Sequence, residues 1–429
     1  MKKIIQPNKE SWKEFTTRPV INKAELTAKV SEILNNVKEN GDQALINYAE
    51  QFDQVKLSSL EVTKDEIDTA KSLVSEELKS AIQLAKGNIE KFHQAQFSSE
   101  EKIETTQGVT CWRKSVGIQK VGLYIPGGSA PLFSTILMLG VPAKLAQCEE
   151  IVLCTPPDKS GKINAAILYT ANLVGITKIF KVGGAQAIGA MAYGTENIPA
   201  TYKIFGPGNQ YVTKAKELIQ QDGVAIDMPA GPSEVLIVAD KTCVPCYVAA
   251  DLLSQAEHGA DSQVILLSDD ETTISDVLSA LETQLAAIPR KDIAQGAINN
   301  SKAILLNSME DCMDFSNQYG PEHLIIASEN ATNYIDLVVN AGSVFLGNYS
   351  CESAGDYASG TNHTLPTNGY ARNYSGVSLE SFQRKRTFQQ LTAQGIQNIG
   401  PAIELMAAEE QLFAHKNAVT LRLNDINNV

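Results

Sequence analysis

Val121-Gly122-Leu123-Tyr124-Ile125, closed by Pro126-Gly127-Gly128, is the stretch whose reading decides the fold. A run this short and apolar, stopped by Pro and Gly, reads as a buried strand rather than a helix. Six further runs repeat the texture: Ile151-Val152-Leu153-Cys154, Ile179-Phe180-Lys181-Val182, Val235-Leu236-Ile237-Val238, Val264-Ile265-Leu266-Leu267, Ala303-Ile304-Leu305-Leu306 and Leu324-Ile325-Ile326. Each is bounded by Gly, Pro, Asp or Ser, with helical pattern between. Short apolar strands alternating with helices predict an α/β protein with largely parallel sheets. Upstream, Lys23 to Tyr48 reads as an amphipathic helix with Val30, Ile33, Leu34 and Val37 on one face, and Lys64 to Phe92 reads the same way. Beyond about residue 376 the pattern is again helical. Glu380 to Leu391 carries Arg384, Lys385 and Arg386, and Pro401 to Asn417 has Pro near its start. There is no internal repeat and no low-complexity segment.

A chain of 429 residues suggests roughly two to four domains. With 43% hydrophobic and 20% charged residues it is ordinary for a globular protein with a sizeable core. The net charge of -13 argues against nucleic acid, whose phosphates call for basic patches. Met1-Lys2-Lys3-Ile4-Ile5 is followed by polar residues, so no signal peptide is expected. No run approaches the roughly 18 apolar residues of a membrane span, and a cytoplasmic location is the default. Seven cysteines, an odd number in a large chain, do not form a disulfide framework. Cys243 and Cys246 make a C-x-x-C without a second pair at zinc-ribbon spacing, so buried thiols are expected throughout.

Glycine turns follow several of the strands: Pro126-Gly127-Gly128-Ser129, Val182-Gly183-Gly184-Ala185-Gln186 and Phe205-Gly206-Pro207-Gly208-Asn209. The dinucleotide fingerprint G-x-G-x-x-G is absent, and so is the Walker A motif. Each turn alone is a plain tight turn. Three strand-to-helix glycine turns in succession leave open a nucleotide or phosphate ligand beyond the carboxyl ends of the strands.

Four of the five histidines lie after residue 257, one of them in Tyr319-Gly320-Pro321-Glu322-His323-Leu324. Neighbouring side chains diverge on a strand or helix. A Gly-Pro turn relaxes that constraint and lets a Glu and a His enter one pocket. Metal donors are present in three places. Gln255 and His258 share a face at the end of a helix beginning near Pro245, where the alternative is a histidine favourably placed at the negative end of the helix dipole. Glu352 to His363 is a small-residue loop holding Asp356 and His363, and Glu409 to His415 lies in the helical tail.

Taken together these segments resemble the histidinol dehydrogenase family from about residue 20 to the end. The carrying motifs are L-Y-I-P-G-G at 123–128, G-G-A-Q-A-I at 183–188, G-P-G-N at 206–209, A-G-P-S-E at 230–234, L-L-S-Q-A-E-H-G at 252–259, G-P-E-H-L at 320–324, G-D-Y-A-S-G-T-N-H at 355–363 and A-H-K-N-A-V at 414–419. The resemblance implies a zinc-dependent, NAD-linked homodimer that oxidises L-histidinol to L-histidine through histidinaldehyde. It implies zinc on Gln255, His258, Asp356 and His415, the last from a C-terminal tail exchanged between subunits. It places Ser233, His323, His363 and Glu410 around the substrate, and Tyr124, Gln186 and Asn209 at the NAD site. His323 is the implied proton acceptor and Glu322 the implied activator of water.

The implied architecture is two incomplete Rossmann-like domains. Residues 21–125 and 233–375 form the larger, 126–232 an inserted smaller one, 1–20 an N-terminal arm and 376–429 a helical dimerisation tail. Rival readings are a relative acting on another polar alcohol such as a sulfonated diol, a zinc hydrolase without cofactor, and a non-catalytic metabolite binder on the same scaffold.

Overall fold

All seven apolar runs are strands. The computed structural model describes residues 1–18, 23–127 and 131–427, so Gly128 and Ser129 lie outside the described residues. In chain order the strands are β1 (Lys2–Ile5), β2 (Lys102–Thr106), β3 (Val109–Gly117), β4 (Lys120–Tyr124), β5 (Glu150–Thr155), β6 (Lys178–Lys181) and β7 (Lys203–Phe205). They continue with β8 (Ala225–Ile226), β9 (Glu234–Ala239), β10 (Gln263–Ser268), β11 (Lys302–Leu305), β12 (His323–Ala327), β13 (Ser343–Leu346) and β14 (Gln383–Leu391).

Two sheets are wholly parallel, in the orders β6-β5-β4-β7-β8 and β1-β11-β10-β9-β12-β13. In each, the chain steps outward from one strand, then returns to its other side. The reversal falls at β4 in the first sheet and at β9 in the second, as in one half of a doubly wound fold. Burial on both faces explains the unbroken apolar runs. Along β9, Val235, Ile237 and Ala239 enter one core and Leu236 and Val238 the opposite one. Along β4, Val121 and Leu123 face one core and Tyr124 the other. Truncating a fully buried residue here, such as Leu236→Ala, costs about 2–5 kcal/mol.

These strands form one compact unit, Met1–Ala95 with Ile118–Phe382; Gln96–Gly117 and Gln383–Val429 form a second. Within the first, three expectations change. The domain boundary at 125–126 cuts a sheet, because β4 is the strand on which the five-stranded sheet reverses. The helices of the preceding segment pack on that sheet too: Val30, Leu34 and Val37 share a core with Val152 and Ile188, and Ile82 and Ile89 share one with Leu123. The helices Lys23–Tyr48 and Glu76–Gln94 and strand β4 thus pack with 126–232, while 96–117 belong to the second unit. The start of the N-terminal arm is no free extension, since β1 adds to the six-stranded sheet beside β11 and Trp12 is buried against Phe315. The long helix of Lys64 to Phe92 is two, Lys64–Leu73 and Glu76–Gln94. Ser75 caps the second, its hydroxyl accepting from Leu78 N–H.

The second unit holds an antiparallel sheet, β14-β3-β2, and the helices Ala393–Glu409 and Phe413–Asn427. The helical reading of Glu380 to Leu391 is overturned, because Gln383 to Leu391 pairs residue by residue with Gly117 to Val109. This strand is exposed along nearly its whole length, so it lacks the apolar alternation that marks a half-buried strand. Pro401 sits in mid-helix rather than at a first turn. Among the described residues no helix is long and apolar enough to cross a membrane.

Candidate active site

Two cavities in the first unit collect the polar residues singled out in the sequence. The larger, about 1200 Å³, lies over the carboxyl ends of the five-stranded sheet. Tyr124 ends β4 there, and its hydroxyl accepts from Gly184 N–H at 3.0 Å; burial pushes the phenol up to about 12. Gln186 is buried in the first turn of the helix Gly184–Tyr193. Asn209 caps the helix Gln210–Ile219, its Oδ1 accepting from Tyr211 and Val212 N–H. That leaves its amide N–H groups for a ligand.

The turn before Asn209 requires glycine. Gly206 has φ +130°, and a Cβ there would lie 2.1 Å from the carbonyl oxygen of Tyr124. Asp227 and Lys216 fix the turn, Asp227 Oδ2 accepting from Gly206 N–H and Lys216 Nζ donating to Gly206 O.

The smaller cavity, about 180 Å³, reaches from this Gly206-Pro207-Gly208 turn to the amino ends of β9 and β12. Gly320 ends the helix Met309–Tyr319 in the left-handed conformation, φ +64°, and donates its N–H to Ser316 O. Pro321 follows, and Glu322 and His323 enter the cavity together, both more than nine-tenths buried. Glu322 Oε2 accepts from Glu234 N–H at 2.8 Å, and His323 Nδ1 donates to Glu234 O at 3.2 Å. One peptide unit pair of β9 therefore holds both side chains.

Three carboxylates surround His323: Glu322 and Glu352 at 3.8 Å from Nδ1 and Asp356 at 3.5 Å from Nε2. Burial alone lowers an imidazole pKa. Here Glu322, Glu352 and Asp356 overcome it and raise His323 to about 10. Burial raises Glu322 to about 8 against the pull of His323, and raises Glu352 to about 8 likewise. Asp356 is also opposed by burial, yet His323 and the neighbouring histidines hold it below the usual carboxylate range. His258 and His363 are lowered by burial, with Asp356 opposing.

The structure brings Ser233, Gln255, His258, Glu322, His323, Asp356 and His363 to this one cavity from distant parts of the sequence. Tyr124, Gln186 and Asn209 line the larger one. Glu410 and His415 belong to the second unit, Glu410 capping the helix Ala393–Glu409 and His415 exposed in the first turns of Phe413–Asn427. Buried thiols hold for Cys148, Cys154 and Cys312, but Cys246 is exposed; no disulfide links any of the cysteines.

Several buried polar atoms lack a hydrogen-bond partner among the described residues, including Gln255 Oε1, His323 Nε2 and Glu352 Oε1. Orphaned polar atoms at this depth are costly and mark a place where a ligand completes the structure. His323, Glu352 and Asp356 offer ligand atoms within 4.8 Å of one another, enough to hold a metal ion. Glu352 was missed in the sequence because Glu352 to Asp356 reads as a small-residue loop. It is a short helix, Glu352–Tyr357, which puts Glu352 and Asp356 one turn apart on one face. Glu234 was missed because its contribution is made by its backbone.

Comparison with known proteins bears directly on this arrangement. The family model for histidinol dehydrogenase matches residues 16–423. A histidinol dehydrogenase of Bacteroides thetaiotaomicron is 60% identical over 99% of this chain and 100% of its own. One of Escherichia coli O6:H1 is 52% identical over 97% of this chain and 95% of its own. The crystal structure of histidinol dehydrogenase from Elizabethkingia anophelis superposes with a TM-score of 0.98 at 61% identity, covering 100% of this chain and 99% of that one. Identity this high over the full length, on a fold that assembles the buried Glu-His pair, means that the chain belongs to the histidinol dehydrogenase family.

Proposed function

We propose that this protein oxidises L-histidinol to L-histidine in two NAD-dependent steps, with zinc positioning the substrate in the smaller cavity. The observation that carries the reading is the buried pair Glu322 and His323, held side by side by Glu234 in the cavity that also gathers Gln255, His258 and Asp356. Those last three offer the mixed O and N donors that zinc accepts, and the orphaned Gln255 Oε1 fits a ligand role. His415 of a second copy completes the set in this reading. Ser233, His363 and Glu410 line the substrate, Glu410 facing its ammonium. When bound, zinc orients the amino alcohol and offsets the carboxylates around His323, favouring its neutral form.

With Nδ1 donating to Glu234 O, the imidazole presents Nε2 to the substrate. His323 Nε2 takes the hydroxyl proton as the first hydride leaves carbon. The aldehyde then adds water: the Glu322 carboxylate removes one water proton while protonated His323 returns its proton to the carbonyl oxygen, and His323 accepts the hydroxyl proton of the hydrate as the second hydride leaves. Tyr124, Gln186 and Asn209 would hold NAD in the larger cavity, where it would supply the hydride acceptor for both oxidations. The balance is histidinol, two NAD+ and one water giving histidine as its carboxylate, two NADH and three protons, the amine staying protonated throughout.

The working form is a homodimer with exchanged C-terminal tails, supported by Leu405, Met406, Phe413 and Leu421, apolar residues left widely exposed on the tail helices. A cytoplasmic setting is supported by seven cysteines that form no disulfide. Glu322→Gln tests the division of labour. It is expected to release histidinaldehyde and oxidise it slowly; oxidation of the aldehyde at the parental rate would remove Glu322 from the water step.

A further inference from the structure

We infer that Arg18 is a positioning residue for the catalytic pair, acting through Glu234; this rests on the assignment of Glu322 and His323 as that pair. Glu234 holds both of them with its backbone, N–H to Glu322 and carbonyl to His323. Its own carboxylate is 2% exposed and is paired with Arg18. Arg18 grips it with two nitrogens, Nε on Oε1 and Nη2 on Oε2, the latter at 2.7 Å. Asn368 N–H adds a further bond to Oε1.

The same guanidinium reaches the other side of the site. Nη1 donates to Tyr319 O at 3.2 Å and Nη2 approaches Gly320 O at 3.5 Å, while the guanidinium carbon lies 3.9 Å from the centre of the Tyr319 ring. Tyr319 and Gly320 are the residues from which the turn to Glu322 and His323 springs. Arg18 thus ties the start of β9 to the start of that turn, fixing the two strand ends between which the pair is held. A planar fork with five donors suits this task; an ammonium does not.

Three consequences separate positioning from bulk stability. Removing Arg18 strands a buried carboxylate, so the first variant is Arg18→Met/Glu234→Met, which removes both charges and keeps the apolar volume. It is expected to fold with a melting temperature close to parental and to lose about 10- to 100-fold in kcat, with KM for histidinol changed about 2-fold or less. Arg18→Lys is expected to lose kcat as well. In Arg18→Ala, millimolar guanidinium is expected to restore part of kcat, whereas the same concentration of sodium chloride does not. A folded double variant with parental kcat, or an Arg18→Ala loss that follows the unfolded fraction and ignores guanidinium, overturns the inference. Parental protein runs in the same assay: absence of NADH formation there would overturn the proposed reaction itself, a result distinct from either.

Discussion

The two cavities use their sheets in opposite ways. The larger lies beyond the carboxyl ends of β4, β5, β6 and β7, where a parallel sheet opens into helix N-termini and ligands ordinarily bind. The smaller sits at the amino ends of β9 and β12. One is roomy and lined by glycine turns and a few hydrogen-bonding side chains, the surroundings that suit an extended cofactor. The other is tight and crowded with four carboxylates and three histidines, the surroundings that suit proton transfer. In the proposed reading, binding and chemistry are divided between two sheets, joined by the segment in which Gly206-Pro207-Gly208 lines the smaller cavity and Asn209 the larger.

That division can be broken most sharply at His323. His323→Asn is expected to lower kcat by on the order of 100- to 10,000-fold while NADH binding, followed by fluorescence, stays near parental. Loss of both together would mean the cavities are not separate. The metal set is next. His258→Asn and Gln255→Leu are expected to weaken zinc on the order of 100-fold or more by metal analysis after dialysis, whereas Glu352→Gln retains it. The reverse pattern would place the ion on His323, Glu352 and Asp356. A smaller effect is expected at Tyr124→Phe, which deprives the half-buried Gly184 N–H of its acceptor. It should raise KM for NAD about 5- to 30-fold, a cost of roughly 1–2 kcal/mol, with KM for histidinol unchanged.

The smallest effect lies outside both cavities. His93 is fully buried, with Nδ1 donating to Ile89 O and Nε2 accepting from the Asn362 amide. Burial lowers its pKa, so the unfolded chain binds the proton more readily than the folded one. Stability is therefore present above the ordinary imidazole range and is lost as pH falls through it. His93→Gln is expected to flatten the decline in melting temperature between about pH 7 and about pH 5. An unchanged slope would assign that decline to other groups.

Much of this was legible in the residues. The apolar runs gave the parallel strands because both faces of each sheet are buried, and Gly320-Pro321 foretold that Glu322 and His323 share a pocket. What was hidden has physical causes. Glu352 lies in a helix too short to show periodicity. Gln383 to Leu391 is solvated on both faces and is made a strand by its pairing with β3. The boundary at 125–126 failed because which sheet β4 joins depends on pairing across distant residues, Val121 with Ile151 and Lys203. Glu234 acts through atoms every residue possesses, so no side-chain pattern announces it.

The most direct test of the account is the amount of NADH formed per histidinol, measured on the zinc-loaded protein and again after chelation. Two NADH per histidinol, lost with the chelator and regained with zinc, is the expected result. One NADH with histidinaldehyde accumulating, or turnover indifferent to the chelator, would contradict it.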